Sequence, residues 1–328
     1  MSVLLRWYKA YGRYLPWREG QEPYHIWVIE TLLQQTRIAQ AQGRIARFFE
    51  RFPTLEALAE APIEAVLAVW QGLGYYQRAH NLHRAARQLH WLGGWEAVRA
   101  SPDPLKLLES LPGIGPYTAR AILSFTGWRG FLPVDGNVLR VLSRLWGIAS
   151  NDRALYQEKA DALPSSWKKR EVAYAFMDLA QLICTPRRPK CLFCPLASEC
   201  KALHAGTPEA FPPRRLPREK PIRYFLLSLC ENSIGVWLER RPLRGLWGGL
   251  WSLPIHEVSE QSPRKPDILH ELTHFRFVGY IEVQKEPPPA TKLIPWSELT
   301  SYALPAPILR LLMQEAEAHG ISISVQDS

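Results

Sequence analysis

Four cysteines fall within seventeen residues of this chain and are its sharpest chemical signal. They are Cys184, Cys191, Cys194 and Cys200. Their gaps of six, two and five residues let one short loop surround a single centre with sulfur ligands, which suits either zinc or an iron–sulfur cluster. Arg187, Arg188 and Lys190 lie between the first two cysteines. The loop therefore also presents positive charge of the kind that contacts phosphates.

A carboxyl group placed among apolar residues is the second signal. Apolar positions 26, 29 and 33 are spaced as one face of a helix, and Glu30 shares that face. A carboxyl group there loses solvation and holds its proton more tightly, as a general acid near neutral pH requires. A glutamate neutralised by a buried arginine is the open alternative.

A second carboxyl group stands in the opposite surroundings. Asp135 directly precedes a predicted helix whose apolar positions are 138, 141, 142 and 145. Aspartate at such a place is most often a helix cap, and the helix dipole favours its ionised form. One protonated and one ionised carboxyl group is the pair that cleaves glycosidic bonds. Glu30 and Asp135 together therefore predict an acid and an anion for that chemistry.

The turn from Leu111 to Pro116 carries two glycines, Gly113 and Gly115, and a proline that opens the next helix. Free amides at the positive end of a helix dipole form a phosphate cradle. A plain helix–helix connection is the alternative, and the basic charge of the chain favours the cradle.

Helices must position these residues, because the spacing of apolar residues is helical from Pro23 to about Cys184 and predicts eight to ten helices. A proline-rich basic stretch, 205–221, predicts a linker. Strand-like runs then follow at Tyr224–Cys230, Gly235–Glu239 and Phe275–Val283, with a helix at Ala306–Ala318. The chain is therefore predicted to be mainly α, with a second domain of α+β type.

Charge is unevenly distributed along the 328 residues. The whole chain has a net charge of +9, but residues 1–220 carry 30 basic and 19 acidic side chains, whereas 221–328 carry 10 and 12. The first two thirds therefore suit a polyanionic partner, and a soluble surface that happens to be basic is the alternative. No continuous apolar stretch of about 18 residues and no signal-peptide pattern is present, so no membrane contact is expected.

Taken in order and spacing, these motifs resemble the adenine DNA glycosylases of the helix-hairpin-helix superfamily, whose iron–sulfur branch also includes endonuclease III. The resemblance covers residues 4–203 and is carried by Leu15–Arg18, Glu30–Thr36, Gly72–Tyr76, Leu111–Thr118, Val134–Val138 and the four-cysteine loop. It implies a helix-hairpin-helix glycosylase domain over 1–204 with an iron–sulfur loop at 184–200. A linker at 205–221 and an α+β Nudix-like domain over 222–328 would follow, with one [4Fe–4S] cluster on the four cysteines.

The resemblance also implies a reaction, the removal of adenine paired with 8-oxoguanine or guanine in double-stranded DNA. Glu30 matches the acid that protonates the adenine, and Asp135 matches the aspartate that stabilises the sugar cation or captures it in a transient bond. Tyr117 stands where endonuclease III has a lysine that forms a Schiff base, so no efficient lyase step is expected.

Three further residues match positions that hold an opened duplex, which is needed because the target nucleotide must be flipped out. Gln35 matches a residue that props the duplex, Arg18 a pocket residue near the adenine, and Tyr75 a residue inserted beside the oxidised guanine. A plain core aromatic is the alternative interpretation of Tyr75.

The segment Arg240–Pro254 resembles the C-terminal Nudix-like domain of the family, although the glutamate-rich helix of Nudix hydrolases is absent after it. The resemblance therefore implies recognition of 8-oxoguanine and not hydrolysis. Where relatives often have Phe-Ser-His, this chain has Leu272, Thr273 and His274, of which Thr273 keeps a hydroxyl group. Thr273 and His274 are the expected lesion contacts.

Two other functions compete with this interpretation. One is an endonuclease III-like glycosylase and lyase acting on oxidised pyrimidines, which Tyr117 disfavours. The other is a non-catalytic DNA-binding module, which the Glu30 and Asp135 pair disfavours. We expect a monomer located in the bacterial cytoplasm on nucleoid DNA.

Overall fold

A computed structural model describes residues 2–36, 38–214 and 219–323 of the chain. Residues 215–218 of the predicted linker and 324–328 of the predicted second domain lie outside the described residues. In the part that is described, no helix is long and apolar enough to cross a membrane.

Helices make up most of the chain before residue 205. The helices are α1 (Ser2–Tyr11), α2 (Pro23–Leu33), α3 (Ile38–Arg51), α4 (Leu55–Glu60), α5 (Ile63–Trp70), α6 (Gln77–Trp91), α7 (Gly94–Ala100), α8 (Pro104–Glu109), α9 (Pro116–Phe125), α10 (Gly136–Trp146), α11 (Arg153–Asp161), α12 (Arg170–Leu182), α13 (Lys201–His204) and α14 (Ala306–Ala318). Eleven of them, α2 to α12, occupy the described residues from Pro23 to Leu182, more than the eight to ten predicted. The sequence estimate was low because proline and glycine breaks isolate helices of only six to eight residues, such as α4 and α8.

Strands follow after residue 221. They are β1 (Ile222–Leu229), β2 (Gly235–Arg240), β3 (Trp251–Ser252), β4 (Ile255–Val258), β5 (Ile268–Glu271), β6 (Arg276–Val283) and β7 (Lys292–Pro295). They form a four-stranded sheet in the order β4-β1-β6-β5 and a three-stranded sheet in the order β3-β2-β7. The pairing of β1 with β6 is parallel and the other pairings are antiparallel. The predicted mainly α fold with a C-terminal α+β region is confirmed.

The described residues fall into two compact units. Among the described residues, one contains 2–36, 54–59 and 84–214, and the other contains 38–53, 60–83 and 219–323. We call them the helical unit and the mixed unit. This division differs from the domain boundaries expected from the sequence, which stay a prediction.

Each unit has its own packing. In the helical unit α2 packs against α9, and α10 packs against α12. In the mixed unit, side chains from both sheets meet α14, whose Ile308, Leu312 and Ala316 are fully buried. The predicted helix Ala306–Ala318 is confirmed to the residue, because proline precedes it and its apolar residues recur at helical spacing.

Candidate active site

The helix that carries Glu30 is buried around nearly its whole circumference. Besides Ile26 and Ile29, α2 also buries Trp27, Val28 and Leu32, whereas Leu33 is only partly buried. The helix is therefore buried on more sides than the one face predicted through positions 26, 29 and 33. A helix that is apolar on all sides lies inside a domain. Glu30 is part of this helix and is therefore partly buried.

Glu30 has one direct polar partner from another helix. The hydroxyl group of Tyr117, on α9, donates a hydrogen bond to Glu30 Oε2 at 3.0 Å. The pKa of Glu30 is raised to about 7, first by burial and then by the charge of Asp135, against the opposing effect of this hydrogen bond. Burial and the neighbouring Glu30 also raise the pKa of Tyr117 well above its ordinary value, so Tyr117 stays a donor. Glu30 can therefore hold its proton near neutral pH.

Asp135 is the N-cap of α10. Its Oδ1 accepts hydrogen bonds from the backbone amides of Asn137 at 2.9 Å and Val138 at 2.7 Å, and its Oδ2 accepts from Asn137 Nδ2 at 2.9 Å. The helix predicted after it buries positions 138, 141, 142 and 145. Each carboxylate oxygen has two lone-pair sites, so Oδ1 is saturated and Oδ2 keeps one site for another positive group.

The positive charge of Arg18 also acts on Glu30 and lowers its pKa. The two terminal nitrogens of this guanidinium group each donate a hydrogen bond of 2.9 Å to a carboxylate oxygen of Asp178 on α12, which is fully buried. The guanidinium group lies 4.6 Å from the ring centre of Tyr174. The sequence did not reveal Asp178 and Tyr174. Asp178 lies 160 positions after Arg18, and no local pattern in α12 marks either residue as a partner of that arginine.

A continuous set of hydrogen bonds joins Asp135 to the first cysteine of the loop. Asn137 Oδ1 accepts from the guanidinium group of Arg140 at 3.3 and 3.4 Å. Arg140 Nε then donates to the carbonyl oxygen of Cys184 at 2.9 Å. The carboxylate and the cysteine loop are therefore fixed to the same turns of α10.

The four cysteines line one cavity, together with Arg144. Arg144 is buried and donates to Cys184 Sγ at 3.3 Å and to the carbonyl oxygens of Thr185 at 2.8 Å and Pro186 at 3.2 Å. Burial and the neighbouring cysteines raise the pKa of Cys194 and Cys191. The described residues contain no three side chains already grouped to hold a single metal ion. A sulfur-lined cavity with a fixed positive charge fits a cluster that needs thiolate ligands.

The glycine turn joins α8 to α9 as the sequence predicts. Gly113 has a positive φ of 79°, and Gly115 is the N-cap residue before Pro116. Both glycines are exposed. A Cβ built on Gly115 meets no described atom within 4 Å, so the space outside the turn is open to a phosphate group.

Tyr75 and Thr273 meet in the mixed unit although 198 positions separate them. Their hydroxyl groups are 2.9 Å apart and hydrogen bonded. Tyr75 is 46% exposed, and its ring lies 5.6 Å from the guanidinium carbon of Arg78. Thr273 and His274 are exposed in the turn between β5 and β6. The structure thus places Tyr75 at the surface and not in the core.

Backbone strain marks several of the predicted DNA contacts. Five non-glycine residues in the described chain have positive φ, and three of them, Gln35 (57°), Tyr75 (50°) and Arg188 (48°), were singled out in the sequence. Such a conformation is costly and concentrates at functional sites. Gln35 and Arg188 are exposed, as are the neighbouring Arg187 and Lys190.

The chain is similar to known proteins of base excision repair. The family described as HhH-GPD superfamily base excision DNA repair protein matches residues 28–165. The adenine DNA glycosylase of Buchnera aphidicola subsp. Baizongia pistaciae is 33% identical over 277 residues, covering 82% of this chain and 75% of that protein. The human adenine DNA glycosylase is 32% identical over 348 residues, covering 85% of this chain and 63% of that protein.

Solved structures share the helical fold. A thermostable thymine-DNA glycosylase has a TM-score of 0.55 at 27% identity and covers 62% of this chain and 94% of its own. Endonuclease III in a non-covalent DNA complex has a TM-score of 0.51 at 20% identity, covering 62% and 95%. The chain is therefore a base-excision-repair DNA glycosylase of the HhH-GPD superfamily, and within that superfamily it belongs to the adenine DNA glycosylase family.

Proposed function

We propose that the protein hydrolyses the N-glycosidic bond of adenine paired with 8-oxoguanine or guanine in double-stranded DNA. The observation that carries the proposal is the juxtaposition of two carboxyl groups in the helical unit. One, Glu30, has a pKa raised to about 7 by burial and by the charge of the other, Asp135. The names of the relatives support adenine as the base.

The chemistry follows from the state of each group. Protonated Glu30 donates its proton to a ring nitrogen of the flipped adenine, which makes the base a better leaving group. Positive charge then develops on the sugar, and the free lone pair of Asp135 Oδ2 stabilises it. Water adds to the sugar carbon and gives a proton to the carboxylate of Glu30, which regenerates the acid. Tyr117 acts by holding the carboxyl group of Glu30 in place.

A lyase step is not part of the proposal. Strand cleavage by a glycosylase begins with an amine that forms a Schiff base with the sugar. Tyr117 offers a phenol at the position where the resemblance places that amine, and burial keeps the phenol protonated. The protein is therefore expected to leave an intact abasic strand.

The remaining surface residues are proposed to hold DNA. The amides of Gly113 and Gly115 bind a phosphate, Arg187, Arg188 and Lys190 add electrostatic contact, Gln35 props the opened duplex, and Tyr75, Thr273 and His274 contact the base opposite the adenine. Arg18 supports the adenine pocket through its position beside Glu30. We propose that the protein works as a monomer on nucleoid DNA in the bacterial cytoplasm.

The four cysteines are proposed to hold one [4Fe–4S] cluster. A bound cluster would cross-link the loop 184–200 through four iron–sulfur bonds. Arg144 donates a hydrogen bond to Cys184 Sγ and so places a positive charge beside the proposed ligands. Iron and acid-labile sulfide in the purified protein, with no zinc, are the expected analysis.

A Nudix-like fold for the C-terminal domain, residues 222–328, is proposed on the sequence resemblance. It would supply recognition and not hydrolysis.

A single duplex assay tests the activity. Duplexes with A·8-oxoguanine, A·G, A·T and thymine glycol are incubated with the protein and analysed before and after hot alkali. We expect adenine release from the first two duplexes, with strand breaks only after alkali. Breaks at thymine glycol before alkali would favour the endonuclease III-like activity, and DNA binding without base release would favour a non-catalytic module.

A further inference from the structure

The backbone just before Asp135 is held by a buried amide side chain that no sequence motif singles out. Gln157, on α11, is 9% exposed. Its Oε1 accepts a hydrogen bond from the backbone amide of Val134 at 3.0 Å, and its Nε2 donates to the carbonyl oxygen of Leu132 at 3.1 Å. One side chain therefore binds one backbone amide and one backbone carbonyl of the non-helical segment that ends at Asp135.

Gln157 is itself held in place by a charged neighbour. Its Nε2 also donates to Asp161 Oδ1 at 2.9 Å. The other carboxylate oxygen of Asp161, Oδ2, accepts a hydrogen bond from Arg120 Nη2 at 3.1 Å. The amide thus has a fixed orientation, because Asp161 can accept only from its nitrogen.

Arg120 extends these contacts to both sides of the glycine turn. Its Nη1 donates to Oε1 of Glu109 at 3.4 Å, and Glu109 ends α8. The same nitrogen donates to the carbonyl oxygen of Pro116 at 3.3 Å, and Pro116 begins α9. Its guanidinium carbon lies 5.6 Å from the ring centre of Phe131, which precedes Leu132. One guanidinium group therefore touches the two helix ends that form the proposed phosphate cradle.

We propose that Gln157 is a positioning residue for Asp135, and that Arg120 and Asp161 connect it to the glycine turn. These contacts keep a fixed distance between the glycine turn at Gly113 and Gly115, which holds a phosphate, and the carboxylate of Asp135, which faces the sugar of the same strand. The inference rests on the proposed function, since it matters only if Asp135 stabilises the sugar cation. Displacement of a reacting group by about 1 Å costs on the order of 100-fold in rate.

A purely structural role for Gln157 makes a different prediction, and the next residue in the chain offers the matched control. Tyr156 is fully buried on the same helix, and its hydroxyl group donates to the carbonyl oxygens of Ile148 at 2.6 Å and Ser150 at 3.1 Å. Tyr156→Phe therefore removes buried hydrogen bonds from α11 to a backbone segment that does not carry Asp135. Loss of stability alone would affect both variants alike.

The experiment compares Gln157→Met with Tyr156→Phe in the full-length protein, by single-turnover adenine release from an A·8-oxoguanine duplex with enzyme in excess. Both variants are expected to lower the thermal unfolding midpoint. Gln157→Met is expected to slow release by about 10- to 100-fold without weakening duplex binding, whereas Tyr156→Phe stays within about twofold of the natural protein. A loss below about fivefold for Gln157→Met, or an equal loss for both variants, overturns the proposal.

A second variant keeps the test decisive if Gln157→Met does not fold. In Gln157→Glu the ionised side chain still accepts from Val134 but repels the Leu132 carbonyl and Asp161, whereas the protonated acid regains one donor. The ratio of its release rate to that of the natural protein is expected to rise as the pH falls. A ratio that does not change with pH contradicts the positioning role. A natural protein that releases no adenine would instead refute the proposed function.

Discussion

The two units place their candidate functional groups in opposite environments. In the helical unit, Glu30 and Tyr117 are carried by packed helices, and burial raises the pKa of both groups. In the mixed unit, Tyr75 and Thr273 meet at the surface, with Tyr75 46% exposed and held in a left-handed backbone conformation.

The difference fits the role that we propose for each region. Proton transfer near neutral pH needs a carboxyl group whose proton affinity is altered, and desolvation is the strongest way to alter it. Recognition of a base needs hydrogen-bonding groups that a ligand can reach, so they cannot be buried. In the mixed unit the backbone beside Tyr75 is held by hydrogen bonds instead. Trp70 Nε1 and Arg78 Nη2 both donate to the carbonyl oxygen of Gly74.

The largest effect is expected from removing the buried acid or its anionic partner. Glu30→Gln and Asp135→Asn should each lower the single-turnover rate of adenine release by about 10²- to 10⁴-fold, the usual contribution of a positioned acid or base. Asparagine also caps helices, so α10 should remain folded in Asp135→Asn.

Asp152→Asn is the matched control for this prediction. Asp152 caps α11 by accepting from the backbone amide of Ala154 at 2.9 Å, and its exchange should leave the rate unchanged. Full activity of either Glu30→Gln or Asp135→Asn would show that this pair of carboxyl groups does not carry the reaction.

A smaller effect, on selectivity, is expected from the exposed pair. Tyr75→Phe and Thr273→Val each remove the hydrogen bond between the two hydroxyl groups. Each should lower the ratio of adenine release from A·8-oxoguanine over A·G by roughly 2- to 10-fold, since one hydrogen bond contributes about 0.5–1.5 kcal/mol. Thr273→Ser keeps the hydroxyl group and should keep the ratio. An unchanged ratio in both Tyr75→Phe and Thr273→Val would remove this pair from recognition.

The smallest effect is a shift in pH dependence. Glu30 acts as its protonated form, so the rate should be highest below about pH 7 and fall as the pH rises through the pKa of about 7. The hydrogen bond from Tyr117 lowers that pKa, so its loss in Tyr117→Phe should move the falling limb to higher pH, by up to about one unit. A limb that moves to lower pH would contradict the assignment of Glu30 as the titrating acid.

Local patterns in the sequence predicted much of this molecule. The capping position of Asp135, the buried positions of α10 and the bounds of α14 follow from spacing and from the residue types at helix ends. The burial of α2 on all sides could not be read from a stripe of three apolar residues, because it depends on which helices surround it.

Contacts between distant segments were the part that the sequence did not reveal. Asp178 holds Arg18 and Gln157 holds the Val134 amide through tertiary packing of α12 and α11, and no local pattern distinguishes these polar residues from ordinary buried ones. Tyr75 and Thr273 were each expected near the lesion, but their direct contact depends on how β5 and β6 fold beside the turn at Tyr75.

The all-round burial of α2 also limits how this protein can adapt. A helix with almost no solvent side tolerates few substitutions, since close-packed interiors respond to the change of a single methylene group. The acidity of Glu30 is therefore open to adjustment mainly from its neighbours, the phenol of Tyr117 and the cation of Arg18. Homologues that work in more acidic or more alkaline cells should differ at those neighbouring positions. The amino-acid sequence of their equivalent of α2 should change slowly.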